Sequence, residues 1–193
     1  MADSLPAAEK TPQPPRVRSI GDSPALAARA AELLRTPQAL MPLEPDEART
    51  VVERMRLVTF PKGATLFREG ELGSSYLLLL LEGEISVDAG SAGPAVALSV
   101  LGPGSVIGEM ALLDGAPRSA NCVAISPVHA AGLSRGGLET LVDEHPRVAA
   151  KLMIGLSQRI AERLRALGQQ LQIYAGLAAT PPQETGRQRE RHG

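Results

Sequence analysis

The chain has 193 residues and is 44% hydrophobic, which is enough for one domain with its own core plus tails. Aromatic residues make up only 2%, which argues against a stacking surface for single-stranded nucleic acid. The net charge of −1 excludes recruitment of DNA, RNA or anionic membranes by bulk charge. Cys122 is the single cysteine, and neither a signal peptide pattern nor a long apolar run is present. We therefore expect a cytoplasmic protein without a membrane span or an internal disulfide.

The N-terminal region changes from tail-like to helical composition. Residues 1–22 are rich in proline, alanine and serine, which predicts a disordered tail. Ser23 and Pro24 are typical of an N-cap followed by proline at the first helical position. Apolar residues at helical spacing predict one helix from Pro24 to Arg35 and a second near Glu44, so that helices occupy 24–56.

Between residues 57 and 133, short apolar segments alternate with glycines. Seven of these segments are predicted to be strands: Val58–Phe60, Thr65–Arg68, Tyr76–Leu81, Glu84–Asp88, Val96–Leu101, Ser119–Ile125 and Val128–Leu133. Many short strands at such spacing are typical of an all-β barrel or sandwich.

After residue 134 the helical period returns, and C-terminal helices are expected over 134–176. A short helix is predicted around Leu138, followed by a long one from Pro146 to Tyr174. A helix of this length, about 43 Å, carries more apolar surface than a small roll can cover. We therefore predict a homodimer through the 146–174 helix. The polar, arginine-rich residues 177–193 are predicted to be a second disordered tail.

The segment from Ile107 to Ala120 contains the residues that indicate ligand chemistry. A short helix from Glu109 to Leu113 would direct backbone N–H groups towards an anion, and Gly108 would allow close backbone approach. Arg118 offers a planar fork that suits two phosphate oxygens, and Glu109 is an acceptor that suits a ribose hydroxyl. By themselves, Arg118 and Glu109 have a second interpretation as a structural ion pair.

The spacing within this segment closely resembles the phosphate-binding cassette of the cyclic-nucleotide-binding domain family. That family includes bacterial catabolite activators, protein kinase regulatory subunits and nucleotide-gated channels. Its cassette reads Gly-Glu, a small or apolar pair, two apolar residues, a short variable loop, then Arg, Ser/Thr/Ala and Ala, and every element is present. The segment from Pro61 to Val87 is similar to the family's first strands, so the resemblance extends over about Leu33 to Tyr174.

The resemblance implies a mainly β fold with flanking helices. The expected architecture is a double-stranded β-helix, a jelly-roll-like β-roll over 57–133, with N-terminal helices and a long C-terminal lid helix. The whole domain is expected to occupy 23–176.

The resemblance also implies roles for single residues. Glu109 would accept a hydrogen bond from the ribose 2′-OH, and Arg118 would pair with the cyclic phosphate. Further cassette residues would offer backbone groups to the nucleotide or close over its phosphate: Gly108, Met110, Ala111, Ser119 and Ala120.

On the lid helix, Arg159 resembles an arginine that approaches the cassette glutamate in bacterial activators. Arg163 lies where cAMP activators place hydroxyls against adenine, which is a departure from the family pattern. Ser119 favours cAMP over cGMP, because strongly cGMP-selective relatives often have threonine there, and cGMP remains a possible ligand.

The implied function is a non-enzymatic cAMP sensor in signal transduction, a regulator whose lid helix shifts on binding and acts on an unknown protein partner. The alternative is a degenerate module of the same fold that binds no nucleotide, against which the intact Glu109 and Arg118 argue. Only nineteen residues follow Tyr174, too few for a helix-turn-helix domain, so we expect no sequence-specific DNA binding by this chain.

Two further patterns are given simpler interpretations. The segment Gly132–Gly136 matches the Gly-x-Ser-x-Gly pattern of hydrolases, but Ser134 is more simply the N-cap of the helix that follows. The three histidines lack the spacing of metal ligands, so no metal site is expected.

Overall fold

In a computed structural model of the chain, residues 15–37, 43–73, 75–88 and 97–178 are described. The chain divides into two units, of which the first ends at Ser157 and the second begins at Gln158. In the described part, no helix is both long and apolar enough to cross a membrane.

Nine strands in the described residues form two antiparallel sheets. The strands are β1 (Arg16–Ser19), β2 (Arg56–Phe60), β3 (Thr65–Phe67), β4 (Tyr76–Glu82), β5 (Ile85–Asp88), β6 (Ala97–Leu101), β7 (Val106–Ile107), β8 (Asn121–Ala124) and β9 (Val128–Ser134). The sheet orders are β1-β2-β9-β4-β7 and β3-β8-β5-β6. The predicted jelly-roll-like β-roll is therefore confirmed, and each of the seven predicted strands has a counterpart.

Five helices accompany the described strands: α1 (Pro24–Leu34), α2 (Pro45–Glu53), α3 (Glu109–Asp114), α4 (Arg135–Glu144) and α5 (Pro146–Ala178). The long C-terminal helix is confirmed and runs four residues beyond the predicted end at Tyr174. Leu152 and Leu156 lie in the part of α5 that belongs to the first unit, and both are buried.

Strand β4 divides the interior into two cores, because its run Leu77–Leu81 is buried on both faces. Three of its leucines, Leu77, Leu79 and Leu81, pack with residues of α1, α2, α4 and α5 in what we call the helix-facing core. The alternate leucines, Leu78 and Leu80, pack between the two sheets in what we call the roll core. This division follows from the side-chain period of a strand, in which successive residues point to opposite faces.

The prediction of a disordered tail through residue 22 is wrong for Arg16–Asp22. Arg16–Ser19 form β1, which pairs antiparallel with β2 at the sheet edge, and Ile20–Asp22 form a 3₁₀ turn. The buried side chain of Ile20 lies in the helix-facing core and holds this segment in place. The remainder of that tail, residues 1–14, and residues 179–193 of the second tail lie outside the described residues.

The two predicted N-caps have different outcomes. Ser134 is confirmed as the N-cap of α4, because its Oγ accepts a hydrogen bond from the Gly137 N–H at 3.1 Å. Ser23 is confirmed at the N-cap position of α1, with Pro24 as the first helical residue, but its side chain makes no cap hydrogen bond. Ser23 also ends the preceding 3₁₀ turn, and its ψ of 82° differs from the 165° found at Ser134. The backbone is therefore turned away from the capping geometry.

Candidate functional site

The segment after β7 forms a short helix bounded by two glycines. Gly108 precedes α3 with a φ of +78°, and Gly115 follows it with a φ of +72°. Asp114 stabilises the exit, because its Oδ1 accepts a hydrogen bond from the Ala116 N–H at 2.8 Å. Both glycines adopt the left-handed conformation that L-residues with a Cβ rarely adopt. The predicted cassette helix is present and is one residue longer than expected.

Gly108 is required by space as well as by conformation. A Cβ at this position would collide with Nη1 of Arg118. It would also lie only 2.9 Å from Cζ of Phe67 and 2.9 Å from the carbonyl oxygen of Tyr76. The absence of a side chain at Gly108 is therefore what lets the arginine, the ring and the start of α3 converge.

Arg118 is held by side-chain and backbone bonds. Its Nη1 donates to the Gly108 carbonyl at 3.1 Å and its Nη2 to the Tyr76 carbonyl at 2.9 Å. Its backbone N–H donates to Glu71 O at 3.0 Å, and its carbonyl accepts from the Gly70 N–H at 2.9 Å. These bonds connect the cassette to the loop between β3 and β4 and to the first residue of β4.

The guanidinium of Arg118 also lies over aromatic rings. Its Cζ is 3.7 Å from the ring centroid of Phe67 and 4.8 Å from that of Tyr76. Burial lowers the pKa of Arg118, yet an arginine remains protonated at neutral pH. Burial likewise raises the pKa of the Tyr76 hydroxyl. A permanent positive charge is therefore kept at this end of the roll.

Glu109 and Arg118 are only 2% and 4% exposed, and they are the two almost wholly buried charged residues in the described part of the chain. Glu109 is the first residue of α3, and its negative charge favours the charged form of Arg118. Burying a charge is costly unless other groups compensate it. Two buried charges at one cassette make it a candidate binding site for a polar ligand.

The other predicted cassette residues divide between the surface and the core. Met110 and Ser119 are exposed, and the Ser119 Oγ lies 4.0 Å from the Met110 sulfur. Ala111 is buried, and Ala120 packs against the roll core. Met110 and Ser119 therefore lie close together at the surface, whereas Ala111 is buried and Ala120 is partly buried.

The predicted lid residues Arg159 and Arg163 both lie on α5, after the boundary at Ser157. Arg159 is half-buried and Arg163 is exposed. Their roles towards a nucleotide stay predictions.

Phe67 and Tyr76 were predicted only as strand residues and not as parts of the site. The signal was their scarcity, since the chain has two phenylalanines, two tyrosines and no tryptophan. Two of these four rings lie against Arg118. No group of three or more potential metal ligands occurs among the residues that the structure describes.

The antiparallel roll, the glycine-bounded α3 and the buried Arg118 together define a jelly-roll-like domain in which a short helix and a buried arginine adjoin. The family model for the cyclic nucleotide-binding domain matches residues 57–145. The crystal structure of a cyclic nucleotide-binding domain from Methylobacillus flagellatus KT is 33% identical, with a TM-score of 0.66 over 72% of this chain and 79% of that chain. The chain therefore belongs to the cyclic-nucleotide-binding domain family, as the cassette predicted.

Bacterial regulators are among the similar proteins. The Mycobacterium tuberculosis "CRP-like cAMP-activated global transcriptional regulator" is 26% identical over 130 residues, covering 67% of this chain and 58% of that protein. The "Cyclic AMP receptor protein" of Thermus thermophilus is 32% identical over 121 residues, covering 62% and 56%. The crystal structure of the Thermus thermophilus Catabolite Activator Protein has a TM-score of 0.62 at 29% identity, covering 74% and 63%. The chain spans a little over half the length of these two curated relatives.

Proposed function

We propose that this protein is a sensor of a cyclic mononucleotide, with cAMP as the ligand, and that it regulates a protein partner without catalysing a reaction. The observation that carries the proposal is the burial of Glu109 and Arg118 at one cassette, with Arg118 held in place by two carbonyls. Family membership supports a nucleotide, and the names of the Mycobacterium and Thermus relatives support cAMP.

Each cassette residue has a place in this proposal. Arg118 pairs with the cyclic phosphate, and Glu109 accepts a hydrogen bond from the ribose 2′-OH. The residues that offer backbone groups or close over the phosphate are Gly108, Met110, Ala111, Ser119 and Ala120. The exposed pair Met110 and Ser119 supports entry of the ligand from that side.

The degenerate alternative, a module of the same fold that binds no nucleotide, is disfavoured by the two buried charges. Their desolvation costs stability, and a bound nucleotide would give both groups a ligand partner, whereas in a degenerate module they would serve only as a structural pair.

Calorimetric titration of the purified protein with cAMP, cGMP and a cyclic dinucleotide tests this function. We expect cAMP to bind most tightly, and Arg118→Ala to weaken it by about 2–5 kcal/mol, which is the scale for removing one partner of a buried charge pair. Arg56→Ala is the matched control, because it removes an exposed arginine of β2. Equal affinity in the wild type and Arg118→Ala would contradict the assignment, and no binding of any nucleotide would favour the degenerate alternative.

The output of the sensor is proposed to pass through α5. Leu164, Leu167 and Leu171 are 69%, 56% and 69% exposed at three- and four-residue spacing, which supports a seam with a second copy. Ligand binding would shift the lid helix and would thereby change what the partner contacts. The roles of Arg159 and Arg163 towards the nucleotide are those that the family resemblance implies. A net charge of −1 supports a protein partner over direct sequence-specific DNA binding, and the single buried thiol, Cys122, suits the cytoplasm.

The homodimer has its own test. Leu164→Glu combined with Leu171→Glu places charges in the seam, so light scattering should show a folded monomer where the wild type is a dimer. An unchanged dimer in the double variant would exclude this seam.

A further inference from the structure

Two aromatic rings flank the cassette arginine. Phe67 is the last residue of β3 and Tyr76 is the first of β4, and their ring centroids are 5.4 Å apart with planes inclined at 50°. The Arg118 Cζ lies over the Phe67 ring at 3.7 Å, closer than the 4.8 Å to Tyr76. We call Phe67, Tyr76 and the guanidinium of Arg118 the ring clamp.

The ring clamp and the carbonyls restrain different motions of the guanidinium. An aromatic face attracts a cation, more strongly when water is excluded, and so restrains movement towards and away from the ring. All N–H groups of a guanidinium lie in its plane, so the Gly108 and Tyr76 carbonyls restrain its rotation within that plane. Loss of Phe67 would remove the first restraint and leave the second.

Gly108 belongs to the same arrangement. Because a Cβ at Gly108 would lie 2.9 Å from Phe67 Cζ, the ring edge reaches the backbone that opens α3. Phe67 therefore contacts both parts of the cassette, the arginine and the glycine turn, from a neighbouring strand of the roll.

We propose that Phe67 is a positioning residue for phosphate recognition: it holds the Arg118 guanidinium in the orientation that receives the cyclic phosphate. Tyr76 assists with its carbonyl and, at longer distance, with its ring. The proposal rests on the proposed function, in which Arg118 binds the phosphate. It adds that nucleotide affinity depends on a ring that acts through Arg118.

A role in packing alone is the competing explanation, because Phe67 is also part of the roll core. Phe60 provides the matched control: it lies in the same core, and both side chains are 2% exposed. Phe60→Leu removes a ring from the core and leaves the ring clamp intact. Tyr76→Phe keeps both rings and removes only the hydroxyl.

The test is a double-mutant cycle measured by calorimetry with cAMP. Phe67→Leu should raise the Kd about tenfold, whereas Phe60→Leu and Tyr76→Phe should change it less than about twofold. In an Arg118→Gln background, the cation that the ring attracts is absent, so the further change from Phe67→Leu should fall below about twofold. If Phe67→Leu folds poorly, Phe67→Met takes its place, because methionine is an apolar side chain of similar length. It should raise the Kd by a similar factor.

Three results would overturn the inference while leaving the proposed function standing. They are wild-type affinity in both Phe67 variants, equal losses in Phe67→Leu and Phe60→Leu, and the same Phe67→Leu factor with arginine and with glutamine at position 118. A wild type that binds none of the three nucleotides overturns the proposed function and the inference together.

Discussion

The two cores that meet at β4 differ in the kind of side chain they contain. As far as the structure describes it, the helix-facing core is aliphatic, with leucine, valine, isoleucine, alanine and one methionine. The roll core contains Phe60 and Phe67, has Tyr76 packed against it, and adjoins Arg118. Three of the four aromatic residues, Phe60, Phe67 and Tyr76, are thus found on the side where the charges are buried.

This difference separates two physical tasks. Aliphatic packing is non-directional, so the helix-facing core stabilises the fold through volume and buried area. Contacts between a ring, a cation and carbonyls are directional, so the cassette end of the roll core determines where a charge is held. We therefore expect substitutions in the first core to change stability, and substitutions around the ring clamp to change affinity.

The largest expected effect on stability comes from the helix-facing core. Leu79 is fully buried there, so Leu79→Ala should lower the free energy of unfolding by about 2–5 kcal/mol in urea denaturation followed by circular dichroism. The cAMP affinity of the folded fraction should stay within about twofold. Leu72→Ala, at an exposed leucine, is the control and should change neither quantity. If Leu79→Ala weakened cAMP binding as much as Phe67→Leu, the comparison of the two cores would fail.

Alanine variants of two glycines distinguish the effect of backbone strain from the effect of damage to the site. Gly108 and Gly63 have similar φ values, +78° and +82°, but a Cβ at Gly63 would meet nothing within 4 Å. Gly63→Ala should therefore lose about 1–2 kcal/mol of stability to left-handed strain. Gly108→Ala should lose more, because its Cβ would also meet the Tyr76 carbonyl oxygen at 2.9 Å. Only Gly108→Ala should also weaken cAMP binding, by about tenfold or more, the scale of a lost hydrogen bond to a charged group. Equal affinities in the two variants would show that the space at Gly108 is not needed.

The elements predicted correctly from sequence have local signals. Alternating apolar segments, glycine turns and the cassette spacing are all readable within about fifteen residues, and they indicate the strands and α3 correctly. Residues Leu77–Leu81 form a continuous apolar run, and their burial on both faces follows from it.

The missed features depend on contacts between distant parts of the chain. Strand β1 has four exposed residues, so no apolar alternation marks it, and it forms because the edge of β2 offers backbone partners. The ring clamp joins Arg118 to residues 42 and 51 positions earlier, and no spacing rule within the cassette indicates it. Spacing around residue 118 identified the cation, but it did not reveal how the fold orients it.

A smaller effect is expected at the start of α4, again on the helical side. Ser134→Ala removes the bond from the Gly137 N–H, so unfolding free energy should fall by about 1 kcal/mol. Ser23→Ala at the start of α1 is the matched control, since its side chain makes no cap bond, and it should be nearly neutral. Thermal and urea denaturation would measure both. A loss at Ser23 equal to that at Ser134 would contradict the capping assignment.

The smallest effect concerns the ion pair that joins α2 to the start of α5. The Lys151 Nζ lies 2.6 and 2.7 Å from the two carboxylate oxygens of Glu47, which also accepts a hydrogen bond from the Glu44 N–H at 2.8 Å. The hydrogen bond from Lys151, followed by that backbone bond, lowers the pKa of Glu47 below its ordinary value of 4.5. A carboxylate with a lowered pKa stabilises the fold above its unfolded pKa, and this contribution is lost as the pH falls through the folded value.

The stability difference between the wild type and Glu47→Gln should therefore be constant near neutral pH and shrink below about pH 4.5. Its size should be small, because Lys151 is 43% exposed and water screens the pair. Urea midpoints at pH 7, 5, 4 and 3 would measure it, with Glu32→Gln on the exposed face of α1 as the control for loss of one negative charge. The affinity for cAMP at pH 7 should not change, since the pair lies on the helical side of the domain. A difference that grows as the pH falls would reverse the sign argued here and show that Glu47 is not held in its charged form by Lys151.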